Sequence, residues 1–352
     1  MYHTNDYIAD YGDDNEIKAE LRKRLAAYFE CGFALPVANG TVAIEIALKA
    51  LDIERGSLVI LPDISFIATA TAVANCGLIP VYADISADYF GLTLASLESK
   101  YNQKVRAVIA VHYAGFVNRE IFAIKDFCKN NHLYLIEDCA QAFAASISGK
   151  KVGTIGNIGT YSLQSSKLIN CGEGGFLLTD HEAIATKCDM LANWGNTDTY
   201  SKFDPHLPSS NFRLSAVQSY LVLKQLAMVD EIVAQRLSRV SELEAACDQL
   251  GVEPKIPAKK VGIFDCPFSL PVKSKMKINT LEPRVEYPMR KSNIVKAIFK
   301  RFFPDLLGTY NESNKDSEAI WTSNQLLEEV DFINISQQKN KSCKEILEPY
   351  KL

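Results

Sequence analysis

The sequence predicts a large α/β domain built around a mostly parallel sheet, followed by a smaller α+β domain. Its 352 residues suffice for one large domain and a smaller one, each with a buried core. Short apolar runs alternate with helical patterns, and the runs are rich in valine and isoleucine on both faces, which is typical of buried parallel strands. We expect the large domain to comprise residues 1–213 and the smaller one residues 214–352.

The elements of the large domain alternate along the chain. Residues 15–30 have the apolar spacing of an amphipathic helix, and a second helix begins after Asn39 and Gly40. The predicted strands are SLVILP, LIPVYAD, VRAVIAVHY, LYLIED, GTYSL and GFLLTD. The helices between them include IATATAVANCG, LTLASLESKYN and REIFAIKDFCKNN.

The pattern changes after residue 213. Apolar residues recur at helical spacing from Leu214 to Leu250, which predicts one long helix ending near Gly251. This helix would lead from the large domain into the smaller one. Beyond it, DCPFSLPV predicts a strand and SNIVKAIFKRFF a helix with a basic, solvated face, whereas the tail from residue 305 is polar and poorly patterned.

Composition and charge argue against several classes of protein. The formal net charge of −4 lacks the basic footprint of a nucleic-acid-binding protein. The nine cysteines form no CxxC pair, so we expect neither a disulfide framework nor a metal site, and a reducing compartment. The longest apolar run is too short to span a bilayer. Because the first residues are polar and acidic rather than signal-like, we expect a cytoplasmic protein without a membrane partner.

A single lysine stands out in the stretch SLQSSKLINCGEGGFLLTD. Lys167 follows small polar residues, and Gly172 and Gly174 flank an acid just after it. Upstream, the strand LYLIED ends at Asp138, and ligands of open α/β sheets bind beyond the carboxyl ends of the strands. Asp138 is therefore placed to meet a ligand, although a strand-end acid can also cap the next helix. Lys167 has the setting of a lysine that reaches a fixed point in a cleft.

Two further features point to a flat, phosphorylated ligand. Gly40, Thr41 and Val42 open a helix whose first amides lack partners within the helix, and such an end binds phosphate. Phe66 follows a strand and could cover the face of a ring. Each feature has a simpler alternative, because the helix start could be an ordinary cap and Phe66 ordinary core.

Taken together, the residues predict a site for pyridoxal 5'-phosphate. Gly40 to Val42, with Ser162, would take the phosphate, and Phe66 would stack on the ring. Asp138 would keep the pyridine nitrogen protonated, which makes the ring an electron sink. Lys167 would form an imine with the aldehyde, and for this its amine must be partly desolvated or close to positive charge.

The motifs NGTVAIEIALKAL, VHYAGF, LIEDCAQA, GTYSLQSSKLINCGEGGFLLTD and SNFRLSAVQ occur in the order seen in one family. The chain resembles the DegT/DnrJ/EryC1/StrS family of sugar aminotransferases over roughly residues 15–250. The resemblance implies fold type I, with a mostly parallel sheet of seven strands flanked by helices. It also implies that Lys167 is the Schiff-base lysine.

The resemblance also assigns roles to further residues of these motifs. It implies that Gln141 lies by the ring hydroxyl and that Asn211 reaches the phosphate of a neighbouring subunit, so that a homodimer would share its sites. The C-terminal third departs from the family pattern, and RVEYPMRKSN, with Arg290, is a candidate remnant of the substrate segment. Trp194 could line the pocket or only close a loop, and His112 is better explained as a structural histidine than as a substrate contact.

The implied activity is transfer of an amino group from glutamate or glutamine to a keto sugar. Gln164 favours members that act on aminocyclitols or other cyclic ketones, or else reflects exchange between equivalent polar residues. Two other readings are a non-transaminating pyridoxal phosphate enzyme and a catalytically silent regulatory homologue. Because Lys167, Asp138 and Gln141 are all present, both are discounted.

Overall fold

The computed structural model describes residues 16–198, 202–204, 206–273, 293–314, 330–335 and 341–348. The helices there are α1 (Glu16–Phe29), α2 (Gly40–Ala50), α3 (Ala68–Asn75), α4 (Leu94–Lys100), α5 (Ile121–Asn130), α6 (Glu182–Ala192), α7 (Ala216–Leu226), α8 (Val229–Leu250), α9 (Asn293–Phe302), α10 (Leu307–Ser313) and α11 (Cys343–Leu347). The longer strands are β1 (Phe33–Val37), β2 (Leu58–Pro62), β3 (Ile79–Ala83), β4 (Val105–Val111), β5 (Tyr134–Asp138), β8 (Ile158–Ser162), β9 (Gly175–Thr179), β13 (Ser269–Lys273) and β14 (Val330–Asn334). The short strands are β6 (Ser146–Ile147), β7 (Lys150–Lys151), β10 (Asn196–Asp198), β11 (Lys202–Phe203) and β12 (Ile263–Phe264).

Seven strands form the central sheet, in the order β1-β9-β8-β5-β4-β2-β3. The strands from β8 to β3 pair in parallel, whereas β9 is antiparallel to both of its neighbours. The predicted α/β fold with a mostly parallel sheet is confirmed, as are its six predicted strands. The remaining strand, β1, was not predicted.

The register of the sheet determines where the last residues of the strands lie relative to one another. Ala107 pairs with Tyr134 and Val111 with Asp138, so β4 and β5 end side by side. Asp138 in turn pairs with Thr160 of β8, two residues before that strand ends. The loops after β4, β5 and β8 therefore leave the sheet at one edge, where ligands of open α/β sheets bind.

The prediction of one long helix from Leu214 to Leu250 is wrong, because two helices occupy this range. The first, α7, begins with a capping box formed by Ser215 and Gln218 and ends at Leu226. The second, α8, begins at Val229 after Met228 leaves helical geometry, and it ends at Gly251 in the left-handed conformation. Because of this break, α7 packs against the core of the central sheet, whereas the C-terminal half of α8 packs in a second hydrophobic cluster.

A second hydrophobic cluster lies apart from the sheet core. It combines the far half of α8 with β13, β14 and α11 through the buried residues Val240, Leu243, Cys247, Val252, Leu270, Val272, Ile333, Ile335, Ile346 and Leu347. Strands β13 and β14 pair antiparallel, from Ser269 with Asn334 to Lys273 with Val330. This cluster has the α+β composition predicted for the C-terminal part, while the boundary at residue 213 stays a prediction.

Helices α9 and α10 pack on the outer edge of the central sheet. Val295 and Phe299 of α9 belong to the core cluster of the sheet. After α10, Asn314 accepts a bond from the Tyr82 amide and donates to the Pro80 carbonyl, and so covers the free edge of β3. None of the described helices combines the length and apolar composition required to cross a membrane.

Candidate active site

Asp138 lies buried at the carboxyl end of β5. Its Oδ2 accepts a hydrogen bond from Thr69 Oγ1 at 2.8 Å, and its Oδ1 accepts from the Ala140 amide at 3.1 Å. The Thr69 hydroxyl also contacts Ser65 Oγ at 2.7 Å. Two neutral donors thus fix the orientation of the carboxyl group.

Burial raises the pKa of Asp138 above its ordinary value. The bonds from Thr69 and Ala140 and the charge of Lys167 act in the opposite direction, without cancelling the effect of burial. A carboxylate in this state is stabilised by any cation that comes to lie beside it. Asp138 therefore has the electrostatics of a partner for a buried cationic group, while its contact with a ligand stays a prediction.

Lys167 projects from the loop after β8 into a cleft beside Asp138. Gln141, Ser162, Arg236, Cys266 and Phe268 line the cleft with it. Burial lowers the pKa of Lys167 to about 8, and the charge of Asp138 opposes this shift. A substantial fraction of neutral amine is therefore present near neutral pH, as nucleophilic attack on a carbonyl requires.

The start of α2 meets Ser162 at close range. A Cβ atom on Gly40 would lie 2.9 Å from Ser162 Cβ, so glycine is required for this approach. Asn39 caps the helix by accepting from the Val42 amide at 2.9 Å, so the amide of Val42, which was predicted to bind the phosphate, already has a partner. No acceptor among the described residues takes the amides of Gly40 and Thr41. The junction thus presents two amides and the dipole of α2 next to a hydroxyl, a donor set that fits a phosphate group.

Phe66 and Gln141 were predicted to flank the ring of the ligand. Phe66 precedes α3 in the segment that carries Ser65 and Thr69, and its ring is 49% exposed. Gln141 Oε1 accepts from the Ala114 amide at 2.6 Å, which orients the side-chain amide. The buried carboxylate, the shielded amine and the Gly40 junction fit pyridoxal phosphate in donor and acceptor chemistry.

Asn211 and Trp194 lie close together, and neither is among the described residues that line the Lys167 cleft. The backbones of Asn193 and Asn211 form an isolated β-bridge, and the Trp194 amide donates to the Ser210 carbonyl at 3.1 Å. Asn211 is exposed, and the Trp194 ring stacks on the Arg213 guanidinium, 4.1 Å from ring centre to carbon. The chain therefore presents Asn211 outward.

The Gln164 side chain makes no contact with described residues that identifies a ligand. Its Oε1 accepts from the amide and hydroxyl of Ser166, and its Nε2 donates to Ser165 Oγ, so the bonds found in the described part of the chain lie within its own loop. Arg290 lies outside the described residues. Substrate contact for Gln164, Trp194 and Arg290 stays a prediction.

The structural interpretation of His112 is confirmed. The ring is fully buried; Nε2 lies 3.0 Å from Glu137 Oε2, and Nδ1 accepts from the Asn118 amide at 3.1 Å. Cys139 approaches this pair, but both ring nitrogens already have partners, so the cluster has the arrangement of a hydrogen-bond network. Burial raises the pKa of Cys139, and it raises that of Cys171 to about 11, so both are inert thiols at neutral pH.

Three residues at the site were missed from the sequence. Thr69 holds the Asp138 carboxylate, while Phe268 and Arg236 form the cleft wall that faces Lys167. Thr69 lies on a buried face of α3 beside small core residues. From the sequence, this position is explained equally well by packing in the core as by a contact with Asp138. Phe268 and Arg236 come from segments about 100 and 70 residues away from Lys167, so no local pattern places them there.

The sequence of this chain matches a known protein family and is similar to several known proteins. The sequence profile of the DegT/DnrJ/EryC1/StrS aminotransferase family matches residues 9–330. The chain is similar to GDP-perosamine synthase of Vibrio cholerae, with 35% identity over 208 residues that cover 59% of this chain and 56% of that protein. It is also similar to L-glutamine:scyllo-inosose aminotransferase of Streptomyces griseus, with 30% identity over 257 residues, 70% of this chain and 60% of that one.

Solved structures share the fold over nearly the whole chain. DesV of S. venezuelae superposes with a TM-score of 0.80 at 21% identity, covering 99% of this chain and 90% of that one. PseC of Helicobacter pylori, an aminotransferase involved in the biosynthesis of pseudoaminic acid, superposes with a TM-score of 0.80 at 18% identity, covering 96% and 91%. By contrast, the chain spans 56 to 60% of the length of the first curated relatives it matches.

Proposed function

Because the chain belongs to the DegT/DnrJ/EryC1/StrS aminotransferase family, we propose that it is a pyridoxal phosphate-dependent aminotransferase. It would transfer an amino group from glutamate or glutamine to a keto sugar. The observation that carries the proposal is the buried Asp138 carboxylate, whose charge acts on Lys167, together with the burial that lowers the pKa of Lys167 to about 8. A cytoplasmic location, which the nine unpaired cysteines support, belongs to the same proposal.

In the proposed site the residues divide the work. The amides of Gly40 and Thr41, with the Ser162 hydroxyl, would hold the phosphate, and Phe66 and Gln141 would flank the ring. When bound, pyridoxal phosphate would supply a cationic ring that accepts the electron pair left on the carbon that loses its proton. Asp138 would keep a proton on the ring nitrogen. Lys167, as the neutral amine, would take the proton from the α-carbon of the donor and deliver it to the former aldehyde carbon of the cofactor.

The assay of this proposal combines cofactor binding with turnover. The full chain mixed with pyridoxal phosphate should gain visible absorbance, and glutamate should then remove that absorbance while 2-oxoglutarate appears. Borohydride reduction followed by peptide mapping should place the pyridoxyl mass on the peptide that contains Lys167. A label on another lysine, or no absorbance change with either donor, contradicts the proposal.

The nature of the acceptor distinguishes two candidate functions. Relatives named for inosose amination are 30 to 32% identical to this chain, and a relative named GDP-perosamine synthase is 35% identical. Gln164 favours the cyclitol acceptors. With the amino-loaded enzyme, a nucleotide-linked 4-keto sugar and scyllo-inosose can be compared directly by the rate at which visible absorbance returns. Faster return with scyllo-inosose favours the cyclitol function over the sugar function.

Gly40→Ala tests the phosphate junction. The added Cβ meets Ser162 at 2.9 Å, so the start of α2 and the Ser162 backbone must separate. Overpacking of this kind costs about 1–3 kcal/mol, and we expect pyridoxal phosphate affinity to fall by a comparable amount. Gly308→Ala is the matched control, because the new Cβ would meet open space in α10. Titration by visible absorbance measures both, and equal affinity for Gly40→Ala and wild type would refute the assignment.

A homodimer with shared sites is part of the proposal. On α7, Val217, Tyr220 and Leu221 are each about half exposed, and they form an apolar helix face directly after Asn211. A second copy of this chain is the occupant proposed for that face, because a two-fold axis would carry the outward-facing Asn211 towards the partner. Size measurement of the full chain by light scattering tests the assembly.

Asn211→Ala is expected to weaken cofactor binding by about 1.5–3 kcal/mol, the value of one hydrogen bond to a charged group. Asn75→Ala removes a surface bond to Glu45 and serves as the matched control. In a mixture of Lys167→Ala and Asn211→Ala subunits, one site of each mixed dimer carries both lesions and the other carries neither. Activity should therefore return in part. No return despite proven exchange shows that Asn211 serves its own subunit.

A further inference from the structure

A two-residue turn connects the two side chains that flank Lys167. Ala114 and Gly115 follow β4, and both adopt the left-handed conformation, with φ of 56° and 88°. The Ala114 amide donates to Gln141 Oε1 at 2.6 Å, and its carbonyl accepts from the Phe268 amide at 2.8 Å. One residue thus holds Gln141 on one side and the Phe268 backbone on the other.

The segment that carries Phe268 is fastened to this turn at several points. The Cys266 amide donates to the Gly115 carbonyl at 3.1 Å. Asp265 pairs with the Arg119 guanidinium through both carboxylate oxygens, at 3.1 and 2.6 Å, in a largely buried setting. Such a bidentate pair restricts the segment in direction as well as distance.

Phe268 itself covers the end of the Lys167 side chain. The ring is 7% exposed, and its centroid lies 4.4 Å from Lys167 Nζ. At this distance the ring face attracts the ammonium, while its bulk keeps water from the amine. The first effect favours the charged amine and the second favours the neutral one.

We propose that Phe268 is a positioning residue that shields the Lys167 amine from water, and that the Ala114–Gly115 turn holds it in place. The role of this shield in transamination rests on the proposed function, whereas the shielding itself concerns only residues of this chain. It accounts for the left-handed Ala114, a conformation that costs a non-glycine residue energy.

The titratable and charged groups around Lys167 determine whether its pKa should rise or fall when the Phe268 ring is removed. Asp138 on β5 is the acid that faces the amine, and Arg236 on α8 lines the same cleft. Cys266 and Tyr161 also line it, but burial raises the pKa of Cys266 to about 11 and that of Tyr161 well above its ordinary value, so both are neutral in the range tested. Burial is the largest cause of the low Lys167 pKa, and removal of the ring should therefore raise that pKa towards its ordinary value of 10.5.

The test measures Lys167 directly, on the full chain stripped of any cofactor. Competitive labelling with acetic anhydride over a pH series, read by mass spectrometry, gives the midpoint at which Lys167 becomes reactive. Phe268→Ala should raise this midpoint by at least about one pH unit. Phe268→Leu should leave it within about half a unit, because an aliphatic side chain still excludes water. An unchanged midpoint in Phe268→Ala overturns the inference.

Gly115→Ala tests the turn against a matched glycine. A Cβ on Gly115 would lie 2.2 Å from the Cys266 carbonyl oxygen and 2.5 Å from the Phe268 nitrogen, so the segment must move. Gly149→Ala imposes a similar left-handed strain, with φ of 79°, but its Cβ would contact nothing within 4 Å. Only Gly115→Ala should raise the Lys167 midpoint. If it matches Gly149→Ala, the turn does not hold Phe268.

Labelling and cofactor binding separate the two proposals. If wild type binds no pyridoxal phosphate, the proposed function fails, but the Lys167 midpoints still decide the role of Phe268. If wild type binds the cofactor and Phe268→Ala leaves the midpoint unchanged, only the present inference fails. Should Gly115→Ala not fold by circular dichroism, the comparison of Phe268→Ala with Phe268→Leu decides the shielding role by itself.

Discussion

Replacing Lys167 by alanine is expected to lower the rate of amino transfer by about 10²- to 10⁴-fold, the range typical for loss of a proton-transfer group. Its amine is the one in the cleft beside Asp138, and burial lowers its pKa to about 8. Pyridoxal phosphate should still bind through the Gly40 and Ser162 junction. Stopped-flow absorbance with glutamate measures the rate, and equilibrium dialysis measures the binding.

Two controls make this result specific to the amine. Lys150→Ala removes an exposed lysine of β7 and should leave the rate unchanged. Added ethylamine should restore part of the rate of Lys167→Ala, because a small neutral amine can enter the space left by the side chain. A variant that transfers amino groups at the wild-type rate would exclude Lys167 as the proton carrier.

The same lysine sets a pH dependence. A protonated amine cannot attack the aldehyde, so capture of pyridoxal phosphate by wild type should accelerate as the pH rises through about 8. The shift also affects stability. Between about 8 and the ordinary value of 10.5, the unfolded chain binds more protons at this residue than the folded chain, so its contribution to the free energy of unfolding rises with pH.

Asp138→Asn is expected to slow the half-reaction with glutamate by roughly 10²- to 10³-fold, as is typical for loss of an electrostatic contact to developing charge. The surroundings accept the amide without rearrangement. Its oxygen can keep the bond from the Ala140 amide, and its nitrogen can donate to Thr69 Oγ1, which then turns its own proton to Ser65. The change therefore removes charge and leaves the shape of the site intact.

The measurement compares rate with binding. Stopped-flow absorbance gives the half-reaction, and titration gives pyridoxal phosphate affinity, which should change less than the rate. Asp84→Asn is the matched control, since Asp84 follows parallel strand β3 and accepts from the Ile85 amide, away from the described cleft. Turnover of Asp138→Asn at the wild-type rate would leave Asp138 with the role of a strand cap.

Much of the sheet was predictable because each of its central strands is an apolar run bounded by turns. The same local logic located Asp138 at a strand end, Gly40 at a helix start and Lys167 among small residues. It failed for β1, whose pairing with β9 spans about 140 residues of sequence. It also failed for α7 and α8, where an unbroken helical period hid the break at Met228.

The sequence by itself determined the α/β architecture, the family and the chemical types of residue at the site, because motifs and strand periodicity are local properties. Only the tertiary structure determined the pKa values and the side-chain orientations of those residues. The low pKa of Lys167 arises from its burial in a cleft that Phe268 helps to close, from a segment about 100 residues away. The orientation of Asp138 depends on Thr69, and Ala114 bonds both the Gln141 side chain and the Phe268 backbone. Desolvation and hydrogen bonding act through space, so they follow from chain folding and leave no pattern in the sequence.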